Sequence, residues 1–383
     1  MGIEIVAYEP ATAESPAIER VAVTVQASSV TTDDRLYESG NFTFTIPFGA
    51  RATPKLARGQ FVRIDKTFWG LIQDIQHTAD SGGRDTTISG MQLKGITGRR
   101  ITVPQESDEL SLSATMGYDV KKGTTETIMK YFVAGNMTRG SRAIYGLTIA
   151  PDLGRGVEDD KYMTRHDKLS EVLTALGEAA GIGYDIIPDL TDGSLVFDCI
   201  EGIDRSGAQS IYPPVVFSVL RKTVESLTYS NKTSDAKNVF YATMSGAEYE
   251  DEALTMTYYR EDEEQMPSGL ERDEMHMTIN ADTPVDGGEY AELRRKALIQ
   301  AEGYRPVESF KCDVSDSRRR FGEDYFLGDV VTAQDKEWGV SVHAPVTAMV
   351  TKYTSSGIAR TATLGTAPLN VFGLLRRQIR QGG

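Results

Sequence analysis

The sequence predicts a β-rich α+β fold in which strands from both ends of the chain enclose a smaller α/β insert. Apolar residues alternate along the first 104 residues, helical periodicity appears within 105–215, and strand patterns return from 216 to 383. A chain of 383 residues is also too long for one ordinary hydrophobic core. We therefore expect several domains, with boundaries near 104/105 and 215/216.

Residues 1–104 are predicted to form a first β domain. Apolar residues alternate with polar or small ones along 21–26 and 41–46, a period of two that buries one face of a strand. Further strand candidates are FVRI (61–64), TFWGLIQDI (67–75) and TTISG (86–90). The Ser-Gly-Gly sequence at 81–83 supplies the left-handed turn residues that join the last two as a hairpin.

Residues 105–215 are predicted to form an α/β insert around two helices. The first helix runs from near Thr124, its N-cap, to Ala134. The second begins at a capping-box-like pair, Thr164 and Asp167, and ends at Gly181. Its apolar residues recur at helical spacing at Leu169, Val172, Leu173 and Leu176. The alternating segment GSLVFDCIEG (193–202) predicts a strand behind this helix.

Residues 216–383 are predicted to form a second β domain that contains one helix, from Gly288 to Glu302. This helix directs Tyr290, Leu293, Ala297 and Ala301 inward. The segment 325–365 predicts three or four strands. A loop around Lys336 and a hairpin turn at 355–357 connect them.

Charge and cysteine content exclude several classes of function. The formal net charge of −14 argues against a stable grip on nucleic acid, because phosphate binding needs a basic surface. An acidic wall past which DNA slides remains compatible with this charge. Cys199 and Cys312 are 113 positions apart, fit no metal spacing, and predict two buried reduced thiols. The amino terminus lacks a secretion signal, and we expect no membrane-spanning segment.

The sequence contains no recognisable catalytic motif. The four histidines are scattered at His77, His166, His276 and His343, outside any pattern of a hydrolytic zinc site. Phosphate-binding loops, dinucleotide-binding loops and nucleophile elbows are also missing from the sequence. We therefore predict no catalytic, cofactor-binding or metal-binding residues, no cofactor, and no enzymatic activity. A pair of acids across a sugar-sized cleft, or a cysteine–histidine pair, stays open because sequence alone cannot test either.

Several segments together resemble the baseplate hub family of siphophage tail tips, related to the amino-terminal module of tail-associated lysins and prophage tail endopeptidases. SGMQLKGITGRRI (89–101) resembles a family segment that follows the WGLIQDI strand and its hairpin. The segment 168–207 has a helix, a G-x-G-aromatic turn, a strand and then G-x-D-R, in the family's order. Residues 216–242 and 325–353 resemble later strands, including a G-D-x-V-T loop. The resemblance covers roughly the whole chain.

The resemblance implies two tail-tube-like β-barrel domains per subunit, an inserted α/β domain, and three subunits that close into a ring. The implied partners are a distal tail protein ring, a tape measure protein and tail fibre or receptor-binding proteins, with DNA present only in transit. The protein would be synthesised in the cytoplasm of a host bacterium and reside in the virion, at the phage tail tip. Because the sequence ends at Gly383, after the last hub-like strands, we expect no appended lysin or endopeptidase domain.

Two alternatives belong to other classes of function. One is a tail-associated cell-wall hydrolase, either a peptidase or a glycosidase, which requires a cleft that holds a histidine or paired acids. The other is a carbohydrate-binding adhesin, which requires aromatic side chains exposed on loops. The only tryptophans, Trp69 and Trp338, are both predicted to lie in strands.

Overall fold

The chain divides into two compact units. A computed structural model describes residues 3–24, 26–47, 50, 55–81, 83–104, 119–164, 166–245, 253–257, 267–280, 297, 301, 304, 306–315, 319–354 and 357–365. The first unit comprises Met1–Thr228 and Phe310–Gly365. The second comprises Tyr229–Ser309 and Thr366–Gly383.

Strands dominate the described residues. The strands are β1 (Ile5–Glu9), β2 (Glu19–Thr24), β3 (Ser29–Arg35), β4 (Asn41–Pro47), β5 (Phe61–Ile64), β6 (Phe68–Asp80), β7 (Gly83–Gln92), β8 (Asp119–Thr124), β9 (Leu147–Ile149), β10 (Glu158–Thr164), β11 (Gly183–Pro188), β12 (Leu195–Ile200), β13 (Val216–Phe217), β14 (Val224–Lys232), β15 (Val239–Ser245), β16 (Ala253–Thr257), β17 (Glu274–Asn280), β18 (Val307–Val314), β19 (Val330–Asp335), β20 (Val340–Thr354) and β21 (Gly357–Leu364). The helices are α1 (Thr125–Met137) and α2 (Leu169–Ala180), and short 3-10 segments span Leu93–Arg99, Gly140–Arg142 and Gly269–Glu271. The β-rich fold class is therefore confirmed.

One large sheet joins the two ends of the chain. Its strand order is β14-β18-β21-β20-β3-β4-β7-β6-β5-β1-β2, with β19 paired to β20 and β13 paired to β19. The antiparallel β3–β20 pairing aligns Val30 with Tyr353 and Arg35 with Ala348. Among the described residues these pairings do not close the path into a barrel, which leaves β2 and β14 as its ends.

Strand β1 is buried on both faces, and one of these faces packs against the insert. Ile5 and Ala7 contribute to a core that includes Phe42, Phe44 and Ile88. The intervening residues of β1 contribute to a second core, formed with residues of α1, α2, β11 and β12. Period-two alternation thus gives β1 one apolar face for each core, and the insert packs against one face of the large sheet.

The predicted hairpin and the predicted first helix are confirmed. Strands β6 and β7 pair from Gly70 and Gln92 to Asp80 and Gly83, as the Ser-Gly-Gly sequence predicts. Thr124 caps α1, since its side chain accepts a hydrogen bond from the backbone N–H of Thr127. Helix α1 continues to Met137, three residues beyond its predicted end.

The predicted start of the second helix was wrong, although its end is confirmed. Thr164 ends β10, and its hydroxyl bonds to the carboxylate of Asp167 and to Thr102 instead of capping a helix. Helix α2 begins at Leu169, after Lys168, without a side-chain cap. Gly181 ends it in the left-handed conformation, at φ 71°.

The second unit contains a three-stranded sheet with β15 between β16 and β17. Strand β15 pairs antiparallel with β16 and parallel with β17. Val239, Phe240 and Ala242 are buried. Ala297 and Ala301 of the predicted helix are helical and buried, while the rest of 288–302, Gly82 and the turn residues Ser355 and Ser356 lie outside the described residues.

Candidate functional site

Two sequence motifs that are more than a hundred residues apart meet in one junction. Gly202–Arg205 follows β12, and Gly328–Thr332 leads into β19. The backbone N–H of Arg205 donates to the carbonyl of Val330 at 2.8 Å, and Asp204 forms a bridge with Val330. The G-x-D-R and G-D-x-V-T segments of the hub resemblance therefore form one structural element.

Asp329 is the centre of this junction. Its side chain is almost fully buried, and its Oδ1 accepts a hydrogen bond from the backbone N–H of Ile203 at 2.8 Å. Its Oδ2 accepts from Nε of Arg205 at 2.8 Å and from the backbone N–H of Phe326 at 3.1 Å. Charge-assisted bonds of this kind are stronger than neutral ones, and they hold the segment 203–205 against the segment 326–329 through one carboxylate.

The glycines of the two motifs allow the backbones to touch. A Cβ on Gly202 would lie 1.8 Å from the carbonyl oxygen of Gly328, much closer than atoms can approach. Gly328 itself has a φ of 89°, which other residues rarely adopt. Gly202 therefore requires glycine for the close approach of the two backbones, and Gly328 requires it for its left-handed conformation.

A second buried joint centres on Lys94, within the segment 89–101. Its Nζ donates to the backbone carbonyls of Arg35, Leu36 and Tyr184, and lies 5.0 Å from the ring centroid of Tyr184. Burial lowers the pKa of this ammonium, while the nearby carboxylates of Asp185 and Asp34 oppose that effect. Lys94 thus links the end of β3 to β11 of the insert.

Gln92 also belongs to this second joint, and both polar atoms of its side chain form hydrogen bonds there. Its Oε1 accepts from the backbone N–H groups of Arg35 and Gly40, and its Nε2 donates to Asp34 at 2.7 Å. Burial, and then the charge of Asp185, raise the pKa of Asp34 to about 7. The turn between β3 and β4 is therefore held by the side chain of Gln92, at the end of β7.

A third joint is a buried ion-pair network inside the insert. Glu126 is fully buried, and its carboxylate accepts from Lys130 at 2.6 Å and from the guanidinium of Arg155 at 2.8 and 2.9 Å. Asp198 pairs with the same two cations, at 2.8 and 3.0 Å. Burial alone would raise the pKa of Glu126, but the hydrogen bonds from Arg155 and Lys130 outweigh it and hold the pKa well below its usual range.

The described residues assemble no metal-binding group of three or more histidine, cysteine, aspartate or glutamate side chains. Three histidines each bond to a threonine: His77 to Thr86, His276 to Thr243 and His343 to Thr332. Cys199 and Cys312 are free and buried, which confirms two reduced thiols, and burial raises the pKa of each to about 12. Neither thiol is therefore an activated nucleophile.

The prediction that Trp338 lies in a strand was wrong. It occupies the turn between β19 and β20 and is half-exposed. Oδ1 of Asp335 accepts from the backbone N–H groups of Glu337 and Trp338, and Gly339 closes the turn at φ 67°. Aspartate and glycine are turn residues by these mechanisms, and they override the strand pattern around the tryptophan. Trp69 does lie in a strand, β6.

The sequence analysis identified the segments that form the Asp329 junction and the Lys94 joint, but it missed their central residues. Asp329 was noted only as part of G-D-x-V-T, and Lys94 only as part of the segment 89–101. Each of these charged residues lies inside an apolar or glycine-rich motif, and this is the signal that could have indicated both. A charge that such a motif buries needs a partner, because an unpaired charge is rarely buried. Glu126 and Arg155 gave no such signal, since acids and arginines are common in exposed loops and first helical turns.

Comparison with known proteins identifies the family. The model of the family described as Siphovirus ReqiPepy6 Gp37-like protein matches residues 15–366. No curated protein matches this sequence. Among the described residues, no helix has the length and apolar character needed to cross a membrane.

Solved structures of tail proteins share the fold. The tail protein from Neisseria meningitidis MC58 is 16% identical with a TM-score of 0.58, over 96% of this chain and 97% of that chain. The 43 kDa tail protein of prophage MuSo2 from Shewanella oneidensis is 13% identical with a TM-score of 0.56, over 94% and 97%. Prophage tail protein gp18 from Listeria monocytogenes EGD-e is 11% identical with a TM-score of 0.51, over 100% and 99%. The chain therefore belongs to the family described as Siphovirus ReqiPepy6 Gp37-like protein, as the family match over most of its length shows.

Proposed function

We propose that the protein is a structural baseplate hub of a phage tail tip, whose copies form a trimeric ring. Each copy would contribute two tail-tube-like β-barrel domains and the α/β insert. The ring would connect the tail tube and the distal tail protein ring to the tape measure protein and to tail fibre or receptor-binding proteins. DNA would pass through the ring during ejection.

The open ends of the large sheet carry this proposal. Among the described residues, β2 pairs only with β1 and β14 pairs only with β18, so both ends of the sheet have an unpaired strand edge. Such edges favour pairing with another chain unless they are covered. A contact that joins two different surfaces of identical subunits produces a ring when the rotation closes. Ring assembly would cover both edges.

The buried joints support a structural function. Lys94, Glu126 and Asp329 hold their segments by charge-assisted hydrogen bonds within the protein's interior. A hub that transmits force between tail components needs such fixed segments, whereas an enzyme needs reactive groups that face a substrate cleft. We therefore propose that the chain has no catalytic activity of its own.

Mass in solution tests the proposal. Light scattering of the purified full chain should give three times 42.0 kDa, about 126 kDa, at micromolar concentration. Dilution should shift the mass toward 42.0 kDa by mass action, and 1 M NaCl should do the same by screening contacts between charged groups. A mass of 42.0 kDa at every concentration up to the solubility limit would contradict a self-assembling ring.

A further inference from the structure

Two loops of the first unit expose aliphatic side chains. In the loop between β9 and β10, Leu153 is 69% exposed and Val157 is 64% exposed. In the turn between β13 and β14, Val219 is 44% exposed and Leu220 is 72% exposed. Apolar side chains that lie together on a surface are typical of interaction sites, and Val219 and Leu220 are adjacent in the chain.

The first of these, which we name the acidic loop (residues 151–158), is held in a fixed shape. Its Arg155 bonds to Glu126 through both the side chain and the backbone N–H. The carbonyl of Pro151 accepts from Nζ of Lys130, and Val157 exchanges backbone and hydroxyl bonds with Thr125. This bonding orders the loop before any partner arrives, which lowers the entropy lost on binding.

The second, which we name the basic turn (residues 218–223), is also fixed. The hydroxyl of Thr223 accepts from the backbone N–H of Ser218 at 2.9 Å and donates to the carbonyl of Val216 at 2.8 Å. The backbone N–H of Lys222 donates to the carbonyl of Val219, and Lys222 has a left-handed φ of 55°. Val219 and Leu220 are therefore presented on a well-defined turn.

The charges beside the two aliphatic pairs are opposite. Asp152 and Glu158 flank Leu153 and Val157 and are exposed. Arg221 and Lys222 follow Leu220, are exposed, and have no ion-pair partner among the residues that the structure describes. Each surface thus combines two aliphatic side chains with two exposed charges of one sign, negative on the acidic loop and positive on the basic turn. The third charged residue of the acidic loop, Arg155, is paired with Glu126 and Asp198.

We propose that the acidic loop of one copy binds the basic turn of the next copy. The occupant of each surface is therefore a second copy of this chain, and the inference rests on the proposed ring. Because two different surfaces meet, the contact is of the head-to-tail type that closes into rings. Leu220 packs against Leu153 and Val157 at its centre, and Arg221 and Lys222 pair with Asp152 and Glu158 at its rim.

Exchange of the charges tests this pairing. The double variants Arg221→Glu with Lys222→Glu, and Asp152→Lys with Glu158→Lys, should each weaken self-association by about tenfold in dissociation constant. A variant that carries all four substitutions should recover assembly to within about threefold of the wild type. Analytical ultracentrifugation over a concentration series measures each constant.

Matched controls separate the contact from general effects. Arg58→Glu with Lys66→Glu changes the net charge as much as the basic-turn variant does, at other exposed positions, and should leave assembly unchanged. Leu220→Asp should abolish assembly, whereas Leu270→Asp, at an exposed leucine of the second unit, should not. Urea unfolding of every variant at a concentration where the wild type is monomeric shows whether it is folded.

The outcomes distinguish this inference from the proposed function. If the wild type assembles while both charge-reversal variants assemble equally well, the ring stands and this contact is wrong. If both charge-reversal variants are weakened but the four-substitution variant is not rescued, the two surfaces do not meet each other, and this pairing is likewise wrong. If the wild type does not assemble at all, the proposed ring fails, and the inference fails with it.

Discussion

Several charged side chains of this protein are buried and form ion pairs in its interior. Glu126 is fully buried yet ionised, because Arg155 and Lys130 donate hydrogen bonds to it from two sides. Removal of the Glu126 charge would leave Lys130 and Arg155 largely buried with only part of their negative partners. The cost of that loss exceeds the net gain that the ion pairs give to folding. The same reasoning applies to Asp329 and Arg205.

Replacement of Glu126 tests this view. Glu126→Gln keeps the shape but removes the charge that faces Lys130 and Arg155, and should lower the free energy of unfolding by about 3 kcal/mol. Urea unfolding at pH 7, monitored by tryptophan fluorescence, measures the change. Glu225→Gln alters an exposed glutamate and should change stability by less than about 0.5 kcal/mol. Equal effects of the two substitutions would contradict a stabilising role for the network.

The stability difference between wild type and Glu126→Gln should depend on pH. The pKa of Glu126 is lowered in the folded protein relative to its usual value of 4.5, so its ionised form stabilises the fold above that value. That contribution is lost as pH falls below about 4.5 toward the folded pKa. The difference should therefore be constant between pH 6 and 8 and shrink between pH 4.5 and 3. A constant difference down to pH 3 would mean that Glu126 is not the titrating group.

At the scale of secondary-structure elements, the joints connect segments that are distant in sequence. Lys94 links the end of β3 to β11, and Asp329 links the segment after β12 to the segment before β19. Local sequence cannot specify such contacts, because each side chain finds its partner only after the sheet and the insert pack together. Gly202 and Gly328 also allow the two backbones of the Asp329 junction to touch.

The glycines of the Asp329 junction give a paired test. Gly202→Ala places a methyl group on the carbonyl of Gly328 and should lower the free energy of unfolding by about 2 kcal/mol or more. Gly207→Ala in the same segment meets its nearest atom, Oγ1 of Thr332, at 3.5 Å and should be nearly neutral. Thermal unfolding of both variants measures the difference. Comparable losses would show that the close approach at Gly202 is not specific.

Local elements were predictable where the signal lies within a few residues. The β6–β7 hairpin follows from its turn residues, and the end of α2 follows from Gly181. Sequence failed where local signals competed, as at Trp338, whose turn is set by Asp335 and Gly339. The β3–β20 pairing spans most of the chain and leaves no local pattern beyond strand alternation. The predicted domain boundaries near 104/105 and 215/216 stay a prediction.

The candidate site was predictable only as a set of segments. The motifs around Lys94, Arg205 and Asp329 were singled out by family resemblance, but their side-chain contacts depend on long-range packing. Resemblance also predicted the ring, for which a single subunit offers only its open sheet edges and exposed loops. Arg155 illustrates the limit, since its burial depends on Glu126 and Asp198, far from it in the chain.

At the scale of the whole molecule, net charge predicts whether the proposed ring binds or repels DNA. Each chain carries a formal charge of −14, so a trimer should repel duplex DNA at low ionic strength. The purified protein should cause no mobility shift of a linear duplex in 50 mM salt. A shift at micromolar protein would reveal a basic surface and contradict passive passage of DNA.

Direct imaging tests the ring most directly. Class averages of the purified full chain by electron microscopy should show particles with threefold symmetry and a central channel, because three copies that join by head-to-tail contacts enclose their axis. Solid particles without a channel, twofold dimers, or open filaments would contradict the account of the protein as a trimeric hub.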